Sequence, residues 1–295
     1  MPVEYYNKRL TSLNIDLNLL ARKRSRLAWL RFAAIAGILA TLYFLIPYGL
    51  FYVLIPCFLL LILFTRLVFA DLNNRSAIEH TKYLITINED ELKALANNYY
   101  HFADGSEHVP KEHFYANDLD IFGHASLYQF INRTSSEMGS DRLANWLLNP
   151  SEPEIILKRQ EAIKELAAQT EWRQKLQAFG AAEKIQNTTQ VRLQNWFAED
   201  NRFINRKVWL FLRYLVPAIL LTVIALNITD VLSNYTRNYF LLAAALFAFY
   251  ISKKVTPLHN QVSKMTDEME VLTNSIQLIE QVEFKSTYLQ DLQKQ

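Results

Sequence analysis

Apolar positions along this chain cluster on two scales, as long unbroken runs and as stripes spaced by three and four. No charged residue occurs from Phe32 to Phe64. One helical crossing of a bilayer takes ~20 residues, so the run is too long for one crossing. Pro47-Tyr48-Gly49 breaks it with a turn signal. The pattern predicts a helical hairpin, 28–46 out and 50–69 back. A second pair comes later. Residues 208–226 (VWLFLRYLVPAILLTVIAL) form one run, with Pro217 tolerated inside it. Residues 237–252 (RNYFLLAAALFAFYIS) form a shorter one, after the polar stretch NITDVLSNYT. Four transmembrane helices in two hairpins are therefore expected.

The striped segments fill the rest with helices. Residues 5–30 read as a helix that becomes strongly basic and continues into the first apolar run. Residues 71–100 are helical in pattern, with Asn88 and Glu91 as a capping box for a helix beginning at 89. Asp104-Gly105 signals a turn. Ser126–Arg133 predicts a short helix with Leu127, Phe130 and Ile131 on one face. Thr134 and Glu137 fit a capping box for the next helix, whose Gly139, Leu143, Trp146 and Leu147 share a side. A helical glycine costs ~1 kcal/mol, so a close helix crossing is expected at Gly139. Pro150 stops that helix, and Ser151 with Glu154 caps another, striped by Ile156, Arg159, Ile163 and Leu166. The pattern at 181–206 is a long helix with an irregular stripe of Ile185, Leu193, Trp196 and Phe203. Val255, Leu258, Val262, Met265, Met269, Leu272, Ile276 and Ile279 form a regular coiled-coil seam. The apolar hairpin between these two segments would make them an antiparallel two-helix lever.

The fold class expected is all-α. The boundaries are a juxtamembrane basic helix (1–27), hairpin 1 (28–70), a cytoplasmic core (71–180), a lever helix (181–207), hairpin 2 (208–252), and a returning lever helix that re-enters the core (253–295).

Charge fixes the orientation. Arg22, Lys23, Arg24, Arg26 and Arg31 precede the first run, and Arg66 and Arg75 follow the second. Arg202, Arg206 and Lys207 precede the third, and Lys253 and Lys254 follow the fourth, while the short return loops hold only Asp230 and Arg237. By the positive-inside rule both termini and the middle region are cytoplasmic. Arg31, Arg66 and Arg213 are placed to snorkel, and Trp29, Tyr48 and Trp209 fit an interfacial belt. No Asp or Glu falls within a run and no polar pathway crosses one, which argues against a proton-coupled transporter. Lys+Arg 31 against Asp+Glu 29 is too balanced to argue for nucleic acid by bulk charge. The basic residues at 22–26, beside a span, set topology and meet lipid rather than DNA. Cys57, the single cysteine, rules out an internal disulfide and a cysteine-based metal site.

Residues 117–167 read NDLDIFGHASLYQFINRTSSEMGSDRLANWLLNPSEPEIILKRQEAIKELA. In the order and spacing of Ser126-Leu127, Asn132-Arg133-Thr134, Met138-Gly139, Arg142-Leu143, Trp146-Leu147, Pro150, Arg159, Ala162-Ile163 and Leu166 this segment resembles the core domain of the MutS family of DNA mismatch-repair ATPases. The tail 279–295 is similar to the return from lever to core in membrane-anchored MutS-like proteins of bacteria. The resemblance covers 71–207 and 253–295. It implies structural roles for Ser126, Arg133, Thr134, Gly139, Arg142, Trp146, Pro150 and Arg159. For the whole protein it implies a bacterial cytoplasmic-membrane location, a C-terminal ATPase domain binding ATP and magnesium, and a homodimer formed through that domain.

The departures bear on function. A membrane hairpin stands where the family carries mismatch recognition, and the second hairpin replaces the DNA clamp between the lever helices. Phe197-Ala198-Glu199 matches the recognition tripeptide by chance, on a lever helix. DNA as a partner has no support among these residues. A P-loop needs G-x-x-x-x-G-K-[ST], and Gly37, Gly49, Gly105, Gly123, Gly139 and Gly180 give no such pair. Residues 1–295 hold no nucleotide cofactor site, and the pattern suggests an N-terminal half whose ATPase domain would follow. The alternative is a membrane scaffold or sensor that displays a helical stalk and has no ATPase. Other chemistry is weak. Asp118 and Asp120 read as turn residues, and His101, His108, His113 and His124 lack the cysteines or dense carboxylates of a metal site. No catalytic, cofactor or metal residue is assigned.

Overall fold

Two very long helices make up the N-terminal third. The computed structural model describes residues 2–182, 207–228 and 231–294. Helix α1 runs unbroken over Pro2–Leu45, a 3₁₀ turn covers Ile46–Tyr48, and α2 spans Leu50–Leu95. Gly49 takes φ 113, a backbone setting open to glycine, so the turn falls where Pro47-Tyr48-Gly49 predicted it. At 1.5 Å per residue each helix is about 65–70 Å long, roughly twice the thickness of a hydrocarbon core.

The two helices lie antiparallel in one register along their whole length. Near the turn, Gly37 lets Leu60 approach; a Cβ there would stand 3.3 Å from a Leu60 methyl. Farther along, the Arg31 guanidinium meets Asp71 at 3.1 Å, and the buried Asn74 amide donates to the Leu20 carbonyl at 3.0 Å. At the base, Leu13 clusters with Leu84, Ile87 and Ala178. Phe32 thus stands level with about Phe64, and the charge-free stretch ends at one height on both helices.

Among the described residues, two helices rather than four are long and apolar enough to cross a membrane, Pro2–Leu45 and Phe51–Leu95. Only 11% and 6% of their apolar windows are buried within the protein, so they are not core helices covered by their own chain. The third expected span falls in a helix of 22 residues, Lys207–Ile228, within which Tyr214–Asn227 is the apolar stretch among the described residues. The fourth, 237–252, is only sixteen residues and runs on into polar sequence within a longer helix, short of the ~20 that a crossing takes.

The remaining described elements are α3 (Leu127–Ile131), α4 (Glu137–Leu148), α5 (Pro153–Ala168), α6 (Thr170–Ala182), α7 (Lys207–Ile228), α8 (Asn234–Glu280) and α9 (Thr287–Gln293), with a 3₁₀ turn at Ser106–His108. The described residues contain no strand. The chain divides into two units, 1–185 with 271–295, and 186–270.

In the smaller unit α7 and the start of α8 form a hairpin. Arg237 donates to the Asn227 side chain at 2.8 Å, and the Asn227 amide donates to the Leu232 carbonyl, closing the turn. The lever helix expected at 181–207 falls almost entirely outside the described residues. Residues 183–206, including Phe197-Ala198-Glu199, lie outside the described residues. On α8 the seam positions Val255, Met269 and Ile276 are exposed, while Val271, off the seam, is buried. The two-helix stalk that the structure does contain is built by the polar halves of α1 and α2.

That stalk makes its own prediction. Leu84→Ala removes a side chain 6% exposed in the cluster joining α1, α2 and α6 and should cost about 2–4 kcal/mol. Thermal unfolding in detergent measures it; a loss below ~0.5 kcal/mol contradicts a packed stalk base.

Candidate functional site

The stalk ends in a loop-rich core, residues 97–150, that contains the family-like motif. Its helix starts show why the side chains sit where they do. Ser126, first residue of the short helix expected over 126–133, caps α3 by accepting the Gln129 N–H. The cap of α4 is Ser136, which accepts from the Gly139 N–H, and not Thr134, which turns to Asn132 and donates to it at 2.8 Å. Gly139 therefore meets its own cap: a Cβ would stand 3.1 Å from Ser136 Oγ, and among the described residues no helix crosses there. The close approach is at Gly180 instead, where the Ser135 side chain fills the space a Cβ would need. At α5 the cap position is Glu152 without a side-chain bond, Pro153 opens the helix, and Ser151 accepts from Arg159 at 2.9 Å. The expected cap at Asn88 is also absent. Asn88 lies inside α2, where its amide exchanges bonds of 3.3 and 2.9 Å with Gln174 of α6.

The buried faces differ from the predicted stripes. On α3, Tyr128 and Gln129 are buried while Leu127, Phe130 and Ile131 are exposed. On α5 the covered side is Arg159, Ala162 and Leu166, and Ile156 and Ile163 face outward. Periodicity marks an apolar stripe but not what covers it. Here polar groups take the inner positions because the surrounding loops supply backbone partners. Gln129 donates to the carbonyls of Tyr100 and Phe102 and accepts from the Ala125 N–H, so one amide holds two loop segments together. Tyr128 is fully buried, and its hydroxyl lies 2.6 Å from Ser140 Oγ. Burial pushes the Tyr128 phenol above its ordinary pKa, with the Ser140 bond opposing. Gly105, at φ 71, leaves room for that ring; a Cβ would stand 2.7 Å from Tyr128 Cδ1.

Arg133 joins the core to the stalk. Its Nε meets Glu91 of α2 at 2.6 Å, its guanidinium lies 3.8 Å over the Phe102 ring, and it also donates to the carbonyls of Phe130 and Asn132. Tyr6 of α1 approaches the same place. Burial and then Glu91 raise its pKa. Arg9 pairs with Glu171 of α6 at 3.4 Å. His80 of α2 packs on Phe179, and burial, then Lys175, lowers its pKa. Four kinds of contact thus tie α1 and α2 to the core: apolar, amide–amide, ionic and aromatic.

On the opposite side the core holds the end of α8 and the tail. Trp172 donates from Nε1 to the Leu278 carbonyl at 3.1 Å and packs edge-on against Phe284. The Glu165 carboxylate accepts the N–H groups of Lys285 and Ser286 at 2.7 and 2.8 Å, which holds its pKa below the usual range. Arg159 lies 4.2 Å over the Trp146 ring, linking α4 to α5, while Arg142 and Pro150 are exposed.

The histidines and aspartates do structural work. His113 Nε2 donates to the Leu148 carbonyl, and its Nδ1 accepts from the Ala116 N–H. The Tyr115 hydroxyl donates to the carbonyls of Leu147 and Leu148, so the last carbonyls of α4 are satisfied. His124 stacks on Tyr100, His101 faces Asp90 at 3.3 Å, and His108 reaches Ser140 Oγ at 3.1 Å. Asp120 occupies a turn at φ 48 and accepts the Leu127 N–H through its carbonyl, and Asp118 is exposed. Among the described residues no group of three His, Cys, Asp or Glu is placed to hold a metal ion.

Sequence reasoning read Glu91 as a cap instead of an ion-pair partner, and missed Gln129, Ser140, Gln174 and Glu165. Each is polar, and its partner is remote in sequence or is backbone, so no local spacing announces it.

The core's capped helices and polar-pinned loops frame the comparison with known proteins. The family model for MutS domain III matches residues 115–289, more than half of the chain, and the chain belongs to that family. No curated protein and no solved structure matches it.

Two outcomes follow from these contacts. A double-mutant cycle on Arg133→Ala and Glu91→Ala should return a coupling of about 1–2 kcal/mol for a half-buried, hydrogen-bonded ion pair; a value near zero contradicts the strap. Glu165, with its pKa depressed on folding, contributes stability above its unfolded value, and this is lost as pH falls through the folded one. Trp172 lies beside the tail that Glu165 holds, so its fluorescence should change over that acid window. In Glu165→Gln the step should vanish. An unchanged step in the variant assigns it to another group.

Proposed function

We propose that this chain is the membrane-anchored core part of a MutS-family protein, with the α1–α2 hairpin as its principal anchor. One observation carries the reading: the charge-free stretches of α1 and α2 end at the same height, where Arg31 pairs with Asp71. Below that level the hairpin offers apolar surface on all sides, with Phe32, Leu39, Phe44, Phe51, Leu59 and Leu63 exposed. From Phe32 to the tip the α-helix and the 3₁₀ turn together measure about 26 Å, close to the ~30 Å hydrocarbon core. Trp29 is exposed beside the ion pair and Tyr43, Tyr48 and Tyr52 near the tip, as an aromatic belt at each interface requires. The basic flanks put both ends of the hairpin on the cytoplasmic side of a bacterial inner membrane.

The α7–α8 hairpin is the second membrane element in this reading. Its two helices face each other across an apolar groove of about 550 Å³ lined by Val216, Pro217, Leu220, Phe247 and Ile251. The four-span topology is thus part of the proposal. The whole protein would bind ATP and magnesium in a further domain, dimerise through it and transmit its motion through the core to the membrane, since Arg133 and the Asn88–Gln174 pair bind the stalk directly to the core. No residue described here favours DNA as a partner. The coding sequence past codon 295 discriminates cheaply: a G-x-x-x-x-G-K-[ST] motif supports the ATPase reading, and an immediate stop codon favours the scaffold.

Cys57 tests the anchor without mutagenesis. It is the chain's single cysteine and lies on α2 within the apolar half. In intact membranes it should resist a membrane-impermeant maleimide added from either side, and react once detergent dissolves the bilayer. Reaction in sealed vesicles contradicts the embedded hairpin.

A further inference from the structure

Several basic residues of the α1–α2 stalk are neutralised within the protein. Arg9 pairs with Glu171, Arg31 with Asp71, Arg75 with Glu79 and Lys93 with Asp90. A group of five is not. Arg22, Lys23, Arg24 and Arg26 of α1 and Arg66 of α2 are all exposed, and among the described residues no carboxylate lies within ion-pair range of any of them. The carboxylates at this level of the hairpin, Asp71 and Glu79, already hold Arg31 and Arg75. Lys8 and Lys82 are bare as well, but they stand singly, roughly 36 and 27 Å along the helices from the apolar boundary.

The position of the α1 group is fixed by the helix itself. Because α1 is unbroken through 2–45, Arg26 stands about 9 Å and Arg22 about 15 Å above Phe32 along the axis. Headgroups occupy roughly 5–8 Å on each side of the hydrocarbon core, and charge is felt ~8–10 Å farther at ordinary salt. All four side chains fall in that window. Arg22 and Arg26 are one turn apart on the side away from α2, because the buried Leu13, Leu27 and Ala34 mark the side that packs on α2. Lys23 and Arg24 are exposed at the two edges of the side that packs on α2, so the four charges point to different sides of the helix.

We infer that Arg22, Lys23, Arg24 and Arg26, with Arg66 below them, form a collar that binds the phosphates of anionic lipid headgroups and draws such lipids around the hairpin. A topology signal needs only net positive charge. The collar adds a rigid helix holding unpaired cations at headgroup height, with the competing carboxylates already occupied. The proposal rests on the anchor reading, since only an inserted hairpin puts the collar at a bilayer surface. Nucleic acid is the other polyanion such a patch could meet. The exposed apolar surface directly below the collar favours the bilayer, because a duplex lying on the collar would have to share that space with the membrane.

The test uses the full chain in phosphatidylcholine bilayers with spin-labelled phosphatidylglycerol or spin-labelled phosphatidylcholine. The fraction of each label motionally restricted by the protein is read by electron paramagnetic resonance. The anionic label should be preferred by roughly threefold or more at low salt, with the preference falling toward parity at high salt. Arg22→Gln, Lys23→Gln, Arg24→Gln and Arg26→Gln combined should abolish it; Gln matches Arg and Lys in helix propensity, so α1 is kept. Equal restriction of the two labels in the parent, or a preference the variant retains, overturns the collar. So does binding of a fluorescent DNA duplex by the solubilised parent that the variant loses, since it gives the patch to nucleic acid. Cys57 protection in the same membranes separates the two failures. Protection without lipid preference overturns the collar alone, and loss of protection overturns the anchor and the collar with it.

Discussion

The packing of α1 against α2 in a single register is the constraint on which the rest of the larger unit depends. A helix pair of this length has to satisfy two environments. Toward the turn it offers apolar side chains outward and uses Gly37 for close approach. Toward the base it buries Leu13, Leu84 and Ile87 and exposes charge. The change of environment occurs at one height because Arg31 reaches Asp71 and Asn74 reaches the Leu20 carbonyl. A slip of one turn would unpair both. A buried amide or ion pair of this kind costs stability relative to an apolar contact but selects one alignment over its neighbours.

Above that boundary the stalk and the family core are joined by groups that tolerate little displacement. Arg133 is held by a carboxylate, two carbonyls and a ring face together. The Asn88–Gln174 pair is reciprocal and buried. Such contacts lose most of their strength over about 1 Å, so the junction resists displacement of the core against α2. On its other side the core grips the end of α8 through Trp172 and the tail through Glu165. Arg133, from the family-like motif, thus fastens the core to α2.

Much of the helical framework was legible in the sequence: the turn at Pro47-Tyr48-Gly49, the short helix after Ser126, the stop before Pro150 and the family assignment. These rest on local rules, namely φ preferences, cap chemistry and spacing. What was not legible depended on remote partners. Asn88 and Glu91 look like a capping box, yet one is a buried amide bonded to α6 and the other an ion-pair partner of Arg133, 42 positions away. The seam on α8 is regular, yet Met269 and Ile276 are exposed, because period alone does not name a covering surface. Gly139 looked like a helix crossing and is a cap contact, whereas Gly180, in an unremarked stretch, makes the close approach. A stalk was expected on the helices beside the second hairpin, and the first of these lies outside the described residues. The polar halves of α1 and α2 form another stalk, whose pairing rests on contacts such as Asn74 to the Leu20 carbonyl that no local pattern announces.

The central claim is that α1 and α2 stay in one register through the boundary between apolar and polar halves. Distance measurement between spin labels tests it most directly. Labels at Asp16 and Lys82, exposed and level with each other in this register, would be placed in a Cys57→Ser background and the protein reconstituted in liposomes. Double electron–electron resonance should give one narrow distance distribution, the same in liposomes as in detergent. A broad or bimodal distribution, or a separation that shifts when the bilayer is restored, contradicts it.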